Sequence, residues 1–166
     1  MNVGIDHDTP TFAVESIARW WRFMGQKSYP AATELFITAD AGGSNSARSR
    51  SWKLELQQLA DRTGLTISVS HFPPGTSKWN KIEHRLFCHI TEHWRGRPLV
   101  DRDTVVQLIG SVRTSTGLTV KATLDRRGYP LGVTVSDAEM DTLRIAHADF
   151  HGEWNYTLHP RHSSNE

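Results

Sequence analysis

Leu35-Phe36-Ile37-Thr38-Ala39-Asp40-Ala41-Gly42-Gly43 is the stretch on which the fold turns. A short apolar run preceded by Pro30 and closed by a glycine-rich turn reads as a buried strand. Asp40 then stands where the strand meets the loop. Strand C-termini are where open α/β sheets place their ligands. A carboxylate there can face solvent and a cation while its backbone is held by the sheet. The plainer reading is that Asp40 only starts a turn or caps the next helix, as aspartate often does.

Working outward, Ala47–Thr63 predicts a helix closed by Gly64, and Leu65–Ser70 alternates with period two, a further strand. Upstream, Val3-Gly4-Ile5-Asp6 reads as a short strand, which needs neighbours to be stable. Asp8-Thr9-Pro10 opens a helix whose apolar positions Ala13, Ile17, Trp20 and Met24 form one face and whose stop is Gly25. Downstream, a turn at His71–Thr76 leads into a helix reaching about Arg95, and another helix covers about Asp103–Ser115. Beyond Gly117, Leu118–Ala122 and Val133–Val135 are candidate strands, and Ser136-Asp137-Ala138-Glu139 has the form of a capping box. From His147 the chain is polar and weakly patterned, and Arg161–Glu166 is expected to fray. The alternation of strands and helices argues for an α/β sheet with packed helices.

Composition fits this. The chain has 166 residues, 37% hydrophobic and 22% charged, enough for a real core. The net charge is only +1, so no global field announces a polyanionic partner, and evidence for one must come from local clustering. A single cysteine, Cys88, excludes an internal disulfide and fits a reducing compartment. No apolar run is long enough to span a membrane and no signal peptide is present, so a cytoplasmic location is expected.

Glu83 lies in Ser77-Lys78-Trp79-Asn80-Lys81-Ile82-Glu83-His84-Arg85. Asn80 and Glu83 have the spacing of a capping box, a structural role that also holds a carboxylate at a defined angle. Basic and aromatic residues are interleaved around both acids: Arg48, Arg50, Trp52 and Lys53, then Lys78, Trp79, Lys81 and Arg85, then Trp94, Arg95 and Arg97. Such groups can contact phosphates and stack on bases, or form an ordinary solvated face over core tryptophans. His89-Ile90-Thr91-Glu92-His93 matches the H-x-x-E-H zinc-hydrolase pattern, without an evident third acidic ligand.

Two segments connect: Ile37-Thr38-Ala39-Asp40-Ala41-Gly42-Gly43-Ser44-Asn45, and His71-Phe72-Pro73-Pro74-Gly75-Thr76-Ser77-Lys78-Trp79-Asn80-Lys81-Ile82-Glu83-His84. Together they resemble bacterial insertion-sequence transposases with a DDE catalytic domain, and the likeness runs from Gly4–Thr9 through Trp94–Leu99 to Phe150–Tyr156. The resemblance implies a ribonuclease H-like fold, a mixed sheet in the order 3-2-1-4-5 with flanking helices, and DNA transposition as the activity. It makes Asp40 the second metal-binding acid and Glu83 the third, with two Mg²⁺ (or Mn²⁺) ions about 4 Å apart in the intact site. DNA, as transposon ends and target, is the implied partner. Arg48, Lys78, Lys81 and Arg85 are the residues expected at its phosphates, and His84 could contact DNA or pair with an acid.

The chain departs from the family pattern at its start. Gly4–Thr9 corresponds to the third strand, so the first two strands and the first acid have no counterpart. The expectation is a truncated domain inactive on its own, with residues 1–116 as the partial catalytic domain and 117–166 as its C-terminal extension. Loss of the central first strand would leave the Asp40 strand with a bare edge, inviting self-association. Asp6 and Asp8 are possible substitutes for the first acid only if the first strand pairs directly with the Asp40 strand in a βαβ unit; in the family's order their strand lies about 10 Å from the first, too far to share a metal. The rival readings are a DNA-binding remnant without catalysis and the zinc hydrolase on His89 and His93.

Overall fold

The structure is a computed structural model, and it describes residues 1–161. In chain order the strands are β1 (Asn2–Gly4), β2 (Glu34–Ala39), β3 (Thr66–His71), β4 (Thr123–Asp125), β5 (Ile145–His147) and β6 (Asn155–Leu158). The helices are α1 (Pro10–Trp20), α2 (Gln26–Ser28), α3 (Arg50–Thr63), α4 (Cys88–Trp94), α5 (Arg102–Gly110) and α6 (Asp137–Asp141). They form two compact units, one of Met1–His7 with Lys78–Tyr129, the other of Asp8–Ser77 with the chain from Pro130 onward. The result is a mixed α/β protein. No helix among the described residues is long and apolar enough to cross a membrane.

The second unit holds a four-stranded sheet among its described residues, in the order β2-β3-β6-β5. β2 and β3 run parallel, with Glu34 opposite Thr66 and Ala39 opposite His71. β6 runs antiparallel to both β3 and β5. On β3 the period-two pattern sends Ile67, Val69 and His71 inward and Thr66, Ser68 and Ser70 outward. Helix α1 begins because the Thr9 hydroxyl accepts from the Phe12 N–H, 3.2 Å, with Pro10 in the first turn. Helix α3 begins on Ser49, which accepts from Trp52 N–H at 3.1 Å, and ends on Gly64 at φ +71°, where a side chain would be strained. Both helices pack on one face of the sheet. Val14, Trp52, Leu56, Leu59, Ile67, Val69 and Leu158 form the core there, each 2% exposed or less. Burial at this level contributes roughly 1.5–3 kcal/mol per aliphatic side chain.

Several expectations change here. β2 is buried on one face rather than on both: Leu35, Ile37 and Ala39 turn toward the core, while Phe36 is 65% exposed; the strand lies at an edge of its sheet, in keeping with the bare edge expected for it. A continuous apolar run cannot reveal this, because period two is invisible when both faces carry hydrophobics. Val133–Val135 is an extended loop, its carbonyls taking bonds from the Ser51 hydroxyl and the Arg50 guanidinium. The weakly patterned tail contains β6, an inner strand whose Tyr156 and Leu158 are buried. Arg161 is tied to Asp61 by three bonds of 2.6–2.8 Å rather than frayed; residues 162–166 of the expected tail lie outside the described residues. The Ser136–Glu139 capping box forms as expected, with Glu139 Oε2 taking the Ser136 N–H at 2.8 Å.

In the first unit β1 pairs in parallel with β4, Asn2 with Thr123 and Gly4 with Asp125. The βαβ arrangement that would join the first strand to β2 is therefore not formed. Ile90, Ile109, Val112 and Val120 make a small core with Val3, Phe87, Trp94 and Val105. The helix expected to run unbroken to Arg95 contains a π-helical turn, Glu83–Phe87, before α4. The expected 103–115 helix stops at Gly110, and the strand expected at 118–122 is displaced to β4, leaving only an Arg113–Thr119 bridge. Asp125, at the end of β4, is 2% exposed and takes bonds from Arg127, the Tyr129 hydroxyl (2.7 Å) and Asn2 (3.2 Å).

Candidate active site

Asp40 follows the last residue of β2 directly and is half-buried. It opens onto a shallow recess lined by Ala41, Gly42, Pro73, Pro74 and Gly75. The parallel pairing of β2 and β3 brings the two following loops together, and the Phe72 N–H donates to the Ala39 carbonyl at 2.8 Å. The site thus sits at the C-terminal end of two parallel strands, where sheet geometry leaves backbone and side chains available to a ligand.

A buried chain of hydrogen bonds ends on Asp40. The Trp52 indole N–H donates to the Tyr156 hydroxyl at 2.9 Å. Tyr156 is 3.0 Å from His71 Nε2, and His71 Nδ1 is 3.1 Å from the Asp40 carbonyl oxygen. Chemistry fixes the direction. A carbonyl can only accept, so a proton sits on Nδ1, and in the uncharged ring Nε2 then accepts from the Tyr156 hydroxyl, whose oxygen takes the indole N–H. His71 is thereby the neutral Nδ1–H tautomer. Burial holds its pKa below the ordinary histidine value; the bond to the Asp40 carbonyl opposes this, and repulsion from Lys53 adds to it. Burial likewise pushes the Tyr156 hydroxyl up, against the Trp52 bond, and Lys53 Nζ lies 5.2 Å from the Tyr156 ring centre. Sequence reading missed His71 and Tyr156; the inward phase of the period-two pattern on β3 was the signal for the first.

The basic residues divide. Arg48 is exposed in the loop after Asp40, its own N–H donating to the Ser46 hydroxyl at 3.3 Å. Arg50 is engaged by Asp137 at 2.6 Å, and Trp52 is a core tryptophan at 1% exposure rather than a stacking surface. Lys78, Lys81 and Arg85 are exposed on the segment that carries Glu83, as is Trp79 at 59%. Glu83 is half-buried and opens the π-helical turn; Asn80 Oδ1 accepts from the Ile82 N–H at 3.4 Å, and the Glu83 N–H donates to the Asn80 carbonyl. The His84 ring donates to the Lys78 carbonyl at 2.7 Å, closing this segment on itself. Asp40 and Arg48 therefore belong to the second unit, and Lys78, Lys81, Glu83 and Arg85 to the first.

Asp6 pairs with His7 at 3.2 Å and accepts from the Tyr129 N–H at 3.4 Å. In the H-x-x-E-H stretch, His93 Nε2 is 2.7 Å from the Ser111 hydroxyl. Among the described residues no three His, Cys, Asp or Glu side chains gather closely enough to hold a metal ion. Asp40 and Glu83 do supply the hard carboxylate oxygens that magnesium prefers.

The described residues thus make a mixed α/β protein with a half-buried acid directly after an edge strand of its mixed sheet. Residues 1–160 match the family model described as Rhodopirellula transposase DDE domain, and the chain belongs to that family of insertion-sequence DDE transposases. No curated protein and no solved structure matched. Members of such families generally use divalent metal ions and act on DNA.

Proposed function

We propose that this chain is part of a ribonuclease H-like transposase domain acting in DNA transposition, with Asp40 and Glu83 as two of its metal-binding acids. The observation that carries the reading is Asp40 itself: half-exposed on the recess at the end of β2, its backbone held from beneath by His71. Mg²⁺ or Mn²⁺ bound to such carboxylates would polarise a DNA phosphodiester and activate the attacking oxygen. The protein's own contribution is to hold Asp40 rigid against β3. Glu83 is likewise fixed by the turn that it opens. Lys78, Lys81 and Arg85, grouped with Glu83, and Arg48, beside Asp40, would neutralise backbone phosphates. A second reading, DNA binding without cleavage, is favoured by the absence of a three-acid cluster among the described residues.

Mn²⁺ titration of the purified chain, followed by strand nicking of supercoiled DNA, separates the two. Weak Mn²⁺ binding lost in Asp40→Ala and in Glu83→Ala, with nicking lost in the same variants, is the result expected for the catalytic reading. Salt-sensitive DNA binding with no metal dependence and no nicking supports the second. Metal binding indifferent to both substitutions would remove Asp40 and Glu83 from the site.

A further inference from the structure

The end of the second unit opposite Asp40 carries a recess between α1 and α3 that the catalytic reading does not use. Its lining includes Arg19, Arg22, Arg62, Glu15, Trp21 and Gln26, so three guanidinium groups face one carboxylate. Arg19 and Arg62 lie in the last turns of α1 and α3, where a cation gains roughly 0.3–1 kcal/mol from the helix dipole. That accounts for one arginine per helix. It does not account for Arg22.

Arg22 is placed by a distortion. After Trp20 the helix opens into a π-helical turn, Trp21–Gly25, which rotates the following side chains out of α-helical phase. Such turns recur at functional sites, because a weaker hydrogen-bond ladder persists only where something compensates. Gly25 is required for it: a Cβ there would stand 2.6 Å from Trp21 Cε3 and 3.1 Å from Trp20 Cη2. Trp21 can therefore pack against the core and wall the recess, while Arg22 stays exposed beside it, its guanidinium 4.5 Å from the Phe23 ring centre. Arg62 is exposed and has no hydrogen-bond or ion-pair partner among the described residues. Arg22 and Arg62 bring like charges to one recess, and an anion held between them would relieve their repulsion.

The position points to the anion. Helix α3 runs from the C-terminal end of β2 to the N-terminal end of β3, so Arg62 and Asp40 lie at opposite ends of the sheet. The fourteen residues of α3 span roughly 21 Å at 1.5 Å per residue. That is about six base pairs along one DNA strand. Arg48, at the other end of α3, extends the same positive line.

We propose that the Arg22–Arg62 recess binds a backbone phosphate of duplex DNA, an anchoring contact about six base pairs from the one at Asp40. The proposal rests on the reading of the chain as a DNA-acting protein. The test is fluorescence anisotropy of a labelled 20-base-pair duplex with the whole chain over a salt series, comparing R22Q/R62Q and R22K/R62K with the unmodified protein. The expected result is a log-affinity against log-salt slope shallower by about one in R22Q/R62Q, the loss of one phosphate contact, and restored in R22K/R62K. An unchanged slope in R22Q/R62Q, while the unmodified chain still binds duplex, overturns the recess alone. No salt-sensitive binding by the unmodified chain overturns it together with the DNA reading. Inorganic phosphate, titrated at constant ionic strength, is the remaining arm: binding of phosphate lost in R22Q/R62Q with duplex affinity unaltered would make the recess a site for a free anion and refute the duplex contact.

Discussion

Asp40 and Asp125 occupy the same kind of place in the chain. Each stands at the C-terminal end of a short strand in a parallel pair, β2 beside β3 and β4 beside β1. Their surroundings differ completely. Asp125 is sealed at 2% exposure among Arg127, Tyr129 and Asn2, and the Arg127 bonds hold its carboxyl far below the ordinary aspartate range against the opposing effect of burial. Asp40 is half-buried over a recess of glycines and prolines, and its carbonyl oxygen accepts from the buried His71 ring. The same chain position thus gives a sealed structural carboxylate at Asp125 and a half-buried residue bordering an open recess at Asp40.

The sharpest test of this contrast is a pair of substitutions read by urea unfolding. Asp125→Ala removes the buried acceptor shared by Arg127, Tyr129 and Asn2 and is expected to cost about 2–4 kcal/mol. Asp40→Ala is expected to cost about 1 kcal/mol or less, as for a half-exposed group. Equal losses would erase the distinction. Next in size is the relay beneath Asp40. Tyr156→Phe leaves the Trp52 N–H and His71 Nε2 without their partner and should cost about 1–3 kcal/mol, seen as a lowered denaturation midpoint. A midpoint that does not move would mean that water replaces the hydroxyl and the backbone of Asp40 is not held through it.

The smallest effect is in pH. His71 has a folded pKa below its unfolded value, so the unfolded chain binds the extra proton first and stability falls as pH drops from about 6.5 toward the folded pKa. The slope in that window cannot exceed about 1.4 kcal/mol per pH unit for one proton. Asp125 acts lower: its contribution is complete above about pH 3.9 and is lost only as pH falls further. Stability profiles of His71→Gln and the unmodified chain should converge below the upper window. Parallel profiles would mean that His71 does not carry the acid limb.

The contribution of sequence was uneven for physical reasons. Thr9-Pro10, Gly64, and Ser136 with Glu139 were legible because a cap is made by residues within three or four positions of each other, whereas the Ser49 cap was missed and its helix expected from Ala47. Strand β3 was legible from its alternation, and Asp40 from its place between an apolar run and a glycine loop. β6 carries the same alternation in Tyr156 and Leu158, but over only four residues. The pairing of β1 with β4 joins residues some 120 positions apart, and no local pattern records it.

By itself the sequence determined the family and the α/β class and singled out Asp40 and Glu83 as candidates, because these depend on local periodicity and on motif residues close together in the chain. Only the tertiary structure decided that Trp52 belongs to the core, that Asp125 is locked, that β2 exposes one of its faces, and that His71 supports Asp40. Each of these depends on which distant groups fill the space around a side chain, and burial and hydrogen-bond saturation are properties of that space.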